Sequence, residues 1–215
     1  MSLYEKCLPG PLGIPAANEN SRGVFYLSLD VEASGPFPGL YSLVSVGCVP
    51  VLPPDVANPA WRLGEKTFYC EFQPLEEAAV LPAANEVHGL TPEHLRENGL
   101  EPLAGIQKLA DYLADLRLSV PKFMMAAWPA SFDQPFIGYY AQRFLGSNPF
   151  GYACLDIASL AQGIFRCERR QLRSRLARRG LFRPPKPYPH NALDDAMDQA
   201  ALLRELLNLS LKNTP

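Results

Sequence analysis

Four acids and a histidine in this chain stand where they could act together on a phosphate ester. Asp30 and Glu32 close the apolar run Phe25-Tyr26-Leu27-Ser28-Leu29, with Val31 between them. Asp133 follows Ser131-Phe132 at the mouth of an aromatic-rich stretch, and His190 precedes the adjacent pair Asp194-Asp195. Carboxylates with no cysteine among them suit hard cations such as Mg²⁺ or Mn²⁺ better than zinc. Two such ions about 4 Å apart supply what phosphodiester cleavage needs: an activated water, charge neutralisation at phosphorus and a stabilised leaving oxygen. A histidine beside them is a candidate general base, because imidazole takes a proton near neutral pH.

Each residue also has an ordinary reading. On a strand, Asp30 and Glu32 at i and i+2 share one face while Leu29 and Val31 share the other. Two acids on a strand built for burial are costly unless they meet positive charge, although the same pair also fits a strand that ends in water. Asp133 in a first helical turn equally fits capping and the helix dipole. Helical spacing separates Asp194 from Asp195. Asp194, Asp198, Glu205 and Asn208 fall on one polar face, whereas Asp195 heads the stripe Gln199, Leu202, Leu206, Leu209 that should face the body. An inward acid needs a partner, so Asp195 is the expected ligand and Asp194 the expected surface residue.

The elements that would carry these residues can be read from periodicity. Strands are expected near 24–32, 41–51, 66–73 and 122–128, the first three joined by loops rich in proline and glycine, as in an antiparallel meander. Leu103, Ile106, Leu109, Ala110, Leu113 and Leu116 recur at helical spacing. Phe132, Phe136, Tyr140 and Phe144 mark the next helix, and further helices are expected near 156–164, 168–179 and 191–209, with Asp156 capping its own. Residues 1–22 have turn chemistry and read as a flexible arm before a single domain over 23–215. Strands followed by strand–helix units describe an α/β protein with a mixed sheet.

A chain of 215 residues, 47% hydrophobic, can build one well-developed core. No apolar run approaches the roughly 18 residues that span a membrane, and no secretory signal is visible; Met1-Ser2-Leu3 could equally be an expression remnant. Five scattered cysteines without a C-x-x-C pair argue against a zinc site or a disulfide framework and for reduced thiols, which fits a cytoplasmic protein. The net charge of −2 conceals an asymmetry: Arg166 to Lys186 holds nine basic residues against the single acid Glu168. Such a sector suits a polyanion, with Arg169, Arg170 and Arg173 as candidate contacts, and it equally fits a solvated helix face.

The order and context of these segments resemble the DEDD superfamily of 3′→5′ exonucleases, in the branch (DEDDh) whose last motif has a histidine five residues before its aspartate. The resemblance covers roughly residues 24–209. It implies an RNase H-like fold with a mixed five-stranded sheet flanked by helices, three antiparallel strands coming first. It implies two Mg²⁺ or Mn²⁺ ions, with Asp30 bridging both, Glu32 and Asp195 completing one site and Asp133 supporting the other. His190 would deprotonate the attacking water and the products would be nucleoside 5′-monophosphates. Ala33, Ser34 and Gly35 would surround the 3′-terminal nucleotide, and His88 would approach its base. The partner would be single-stranded RNA or DNA, and compact members of this family are often homodimers. One departure is local. Relatives often carry His-Asn shortly before the third acid; this chain has Trp128-Pro129. The competing readings are a non-catalytic nucleic-acid-binding or scaffolding protein on the same fold, and a metal hydrolase for another phosphate ester.

Overall fold

A computed structural model describes residues 24–120, 122–181 and 189–212. The expected arm over 1–22, together with Cys7, Arg183 and Lys186, lies outside the described residues. Strand β1 (Val24–Ala33) is the spine of the sheet. Strand β2 (Leu43–Leu52) runs antiparallel along one edge of β1, and β5 (Lys122–Ala127) runs parallel along the other. Two short strands, β3 (Arg62–Leu63) and β4 (Phe68–Glu71), both pair antiparallel with the outer edge of β2, and β6 (Cys154–Asp156) extends the parallel side beyond β5.

The sheet therefore has six strands where five were expected. Because β3 meets β2 at Val51–Leu52 and β4 meets it at Ser45–Cys48, the two fill one lateral position between them. The expected five-position RNase H-like order is kept. Strands of two and three residues, such as β3 and β6, have too few side chains to display a period of two, which is why periodicity missed them.

Seven α-helices are described: α1 (Pro82–His88), α2 (Pro92–Asn98), α3 (Pro102–Arg117), α4 (Ala130–Tyr140), α5 (Ile157–Phe165), α6 (Arg169–Ala177) and α7 (Ala192–Lys212). The first two are short helices begun by Pro82 and Pro92 and were not expected from periodicity. The aromatic helix runs as α4 to Tyr140 and then widens into a π-turn over Ala141–Leu145. Asp156 caps α5 as expected, its Oδ1 accepting from Ser159 N at 2.7 Å.

Alternation along β1 divides the core into two layers. Phe25, Leu27, Leu29 and Val31 pack with residues of α3 and α4, including Ile106, Leu109 and Phe136. The opposite layer joins Val49, Val51 and Ala126 of the sheet to Ile157, Leu172, Leu176, Ala200, Leu203 and Leu206 of α5, α6 and α7. Leu172 and Leu176 do anchor α6, at 2% and 3% exposure. Among the described residues no helix is long and apolar enough to cross a membrane, and Cys48, Cys70, Cys154 and Cys167 are free thiols.

Candidate active site

The face of β1 that carries Ser28, Asp30 and Glu32 lies beneath the first half of α7. Ser28 Oγ donates to Ala196 O at 3.0 Å, tying strand to helix. Gly47, opposite Asp30 in the ladder, permits the approach: a Cβ there would sit 2.3 Å from the Ala192 carbonyl oxygen and the Leu193 nitrogen. Asn191 starts the helix, its Oδ1 accepting from Leu193 N and Asp194 N at 3.0 and 3.2 Å. The stripe of α7 that faces the body is Ala192, Ala196, Ala200, Leu203, Leu206 and Leu207. Of the expected stripe headed by Asp195, Leu206 is fully buried, whereas Gln199, Leu202 and Leu209 are half-buried at its side. Small alanines are what let the helix lie close to the sheet. Asp195 stands on the flank of that stripe and points to the end of β1, while Asp194 is exposed, so the separation of the two aspartates holds. Asn208 is not a surface residue of the polar face as expected. Its amide accepts from Trp61 N at 2.8 Å and donates to Trp61 O at 3.1 Å, pinning the chain that leads into β3.

Asp133 reaches the same place from α4. It is 1% exposed and is not the N-cap of α4, which is Pro129; its Oδ1 accepts from Val31 N of β1 at 2.9 Å. Its Oδ2 is buried with no hydrogen-bond partner among the described residues. Glu32, 8% exposed, lies with Asp195 and His190 so that one ligand atom of each falls within 4.8 Å of the others. His190 Nδ1 is 3.4 Å from Asp195 Oδ2. The histidine's own backbone is held by α1, His190 N donating to Val87 O at 2.7 Å.

The electrostatics follow from burying like charges together. Burial first, then the neighbouring Asp133, Glu32 and Asp195, hold Asp30 well above the usual carboxylate range; a hydrogen bond from Gln199 works the other way. Burial, then Asp195 and Asp133, raise Glu32 to about 7. Burial raises Asp133 as well, against the hydrogen bond from Val31. Carboxylates under this mutual repulsion, one with an orphaned oxygen, fit a divalent cation with oxygen ligands. Gln199 Nε2 donates to Asp30 Oδ1 at 2.7 Å. Gln199 was assigned no role from sequence; its place four residues after Asp195, one helical turn on, was the available signal.

The other sequence candidates are distributed as follows. Ala33 and Ser34 are 6% and 3% exposed, and Ser34 Oγ is engaged twice, donating to Ala79 O and accepting from Ser42 N, each at 2.8 Å. Gly35 lies against the ring of Tyr41, which leaves no room for a side chain. His88 closes α1 at 4% exposure; its Nδ1 accepts from Leu90 N at 3.1 Å and its Nε2 has no partner among the described residues. Burial lowers its pKa and so favours the neutral ring. Gly89 beside it packs against Pro189, so the His88 turn and the His190 segment touch. His94 pairs with Glu71 at 2.7 Å. Arg169, Arg170 and Arg173 are exposed on α6; Arg170 pairs with Glu168 at 2.6 Å, and the Arg169 guanidinium lies 5.4 Å from the centre of the Trp128 ring.

An RNase H-like sheet whose central strand presents two acids to two more from flanking helices defines a carboxylate-cage nuclease fold. The chain is 36% identical to the 3′-5′ DNA exonuclease Cap18 of Escherichia coli over 187 residues, 87% of this chain and 94% of that protein. The nuclease domain of 3′hExo, a DEDDh family member bound to rAMP, superposes with a TM-score of 0.65 at 16% identity, over 87% of this chain and 93% of that one. Exonuclease I of E. coli in complex with a dT13 oligonucleotide superposes with a TM-score of 0.64 at 14% identity; 88% of this chain is covered, but only 42% of Exonuclease I. No protein-family model matches the chain. The chain belongs to the DEDDh family of 3′–5′ exonucleases, and is thereby a phosphodiester hydrolase.

Proposed function

We propose that the chain removes nucleoside 5′-monophosphates from the 3′ end of single-stranded DNA, and that residues 23–215 form one catalytic domain. The observation that carries this reading is the meeting of Glu32, Asp195 and His190 within 4.8 Å beside Asp30 and the orphaned Asp133 oxygen. DNA as the polymer is supported by the Cap18 relative, a DNA exonuclease, and by the oligonucleotide complex of Exonuclease I. Cytoplasmic residence is carried forward on the scattered cysteines, and homodimerisation on the family resemblance.

Asp30, Glu32, Asp133 and Asp195 would hold the divalent cations, two Mg²⁺ or Mn²⁺. When bound, such ions neutralise charge at the scissile phosphate and make water acidic enough to attack. His190 accepts the proton from the attacking water, and the adjacent Asp195 carboxylate stabilises the imidazolium that results. Val87 O and Pro189 fix the backbone that presents this imidazole. Gln199 holds Asp30 Oδ1, so only part of that carboxylate is left for a ligand. His88 and the Ala33-Ser34-Gly35 turn would contact the terminal nucleotide, as the family resemblance implies. Arg169, Arg170 and Arg173 would neutralise the incoming backbone.

The test is a time course on 5′-labelled single-stranded DNA, single-stranded RNA and duplex DNA with Mg²⁺, Mn²⁺ or excess chelator. The expected result is a ladder shortening from the 3′ end of single-stranded DNA, with mononucleotides released, in metal only. Absence of mononucleotide release with either metal overturns the reading.

A further inference from the structure

The position where relatives often carry His-Asn is here occupied by Trp128, and it faces a cavity that the cage does not use. This cavity, about 600 Å³, lies between Trp128, α6 and α7. Its size falls within the range of small-ligand sites, about 300–1,000 Å³. Leu172 and Leu202 form apolar walls, and Arg169 and Arg173 bring guanidinium groups to them. Gln199 lines it too, while its Nε2 is held by Asp30 and its Oε1 is buried without a hydrogen-bond partner among the described residues. The cavity thus shares a wall with the cage.

The chemistry of this lining is selective. An indole with a guanidinium stacked on it accepts a planar, electron-rich ring. Arg169 is exposed at the cavity and its charge reaches Asp156, Arg173 stands beside it, and of the two acids that also line the space Glu205 is paired with Arg204 at 2.6 Å, so guanidinium groups remain at the wall to meet an anion. A flat ring joined to an anion is a nucleotide.

We infer that the cavity bounded by Trp128, Arg169 and Gln199 is a second nucleotide-binding site, beside the metal cage and distinct from the position proposed for the 3′-terminal nucleotide. The inference rests on the exonuclease reading for its occupant, since that reaction produces nucleoside 5′-monophosphates and also brings an oligonucleotide alongside. The shared chemistry is a base with its phosphate; the two sources are a released mononucleotide and an internal nucleotide of the bound strand.

Trp128 is itself the reporter. Trp61 is the other tryptophan, so Trp61→Phe isolates its emission. Titration is done in excess chelator, with 5′-dAMP in one arm and an oligodeoxyadenylate in the other. Saturable quenching by 5′-dAMP, weakened at least tenfold in Arg169→Ala, assigns the site to free mononucleotides. Quenching by the oligonucleotide alone, with the same sensitivity, assigns it to the strand. Because Arg169 is exposed, Arg169→Ala leaves the core intact; Ala201→Phe, which fills the cavity from α7, is the second variant and should abolish quenching in whichever arm gave it. No change in Trp128 emission with either probe, or quenching that survives both variants, overturns the inference. The exonuclease reading is tested separately, by mononucleotide release from the unmodified chain with metal, and can fail or stand independently.

Discussion

Replacing Glu32 by glutamine tests the cage without relying on turnover. In the metal-free protein, burial and the charges of Asp195 and Asp133 raise Glu32 from 4.5 to about 7. Between those values the folded chain keeps a proton that the unfolded chain has released, so this group's contribution to stability falls as pH rises through that window. One pKa unit corresponds to about 1.4 kcal/mol, so the ionised carboxylate costs about 3 kcal/mol near pH 8 and about 1 kcal/mol near pH 5. Glutamine has the same shape and cannot ionise. In excess chelator, Glu32→Gln should therefore be more stable than the unmodified protein by up to those amounts. At about 2–4 °C per kcal/mol for a chain of this size, Tm should rise by roughly 6–12 °C near pH 8 and by only a few degrees near pH 5. Saturating Mn²⁺ should then narrow or reverse the order, because the intact carboxylate gains binding energy that the amide does not. Scanning calorimetry across this pH range, with and without metal, reads both effects. A variant no more stable than its parent near pH 8 in chelator, or one whose gain is the same at every pH, would refute the repulsive cage.

Other outcomes can be checked alongside. Asp30→Ala and Asp195→Ala should abolish metal-dependent nucleotide release while the chain stays folded, and Asp194→Ala should be close to neutral; the opposite pattern for the two adjacent aspartates would reverse the ligand assignment. His190→Ala should lower turnover by about 10²–10⁴-fold with little change in strand affinity, and an unaltered acidic limb in its pH–rate profile would remove it from the base role. Gly47→Ala should cost about 1–3 kcal/mol or more in urea melts, because the new methyl meets α7 backbone rather than a flexible side chain. Loss of activity should accompany that cost as Asp195 is displaced. Arg169→Ala with Arg170→Ala should flatten the salt dependence of oligonucleotide binding by about 0.7 in log–log slope for every phosphate that is no longer neutralised. An unchanged slope would leave α6 as a solvated charged face.

Much of the candidate site could be read in one dimension because its constraints are local. Asp30 and Glu32 share a face for no other reason than the two-residue period of a strand, and Asp195 is separated from Asp194 by the 100° step of a helix. The hydrophobic alternation of β1, the helical stripe of α3 and the aromatic spacing of α4 likewise depend on neighbours a few residues apart. The sequence alone thus determined the longer elements, the five candidate site residues and the family pattern they form.

What only the tertiary structure decided lies between elements far apart in the chain. Asp133 could cap a helix or join the other acids on equal local grounds; the bond from Val31, 102 residues away, brings it to the end of β1 beside them. Gln199 had no signal beyond its spacing from Asp195, since its partner Asp30 is 169 residues distant. The close seating of α7 required Gly47 to have no side chain, a fact about contact between surfaces that no period in either segment encodes. The cavity beside Trp128 is likewise the space left when α6 and α7 pack against the sheet. Local sequence sets which way a side chain points on its own element; what it points at is set by long-range packing, and it is there that burial gives the charges of this site their strength.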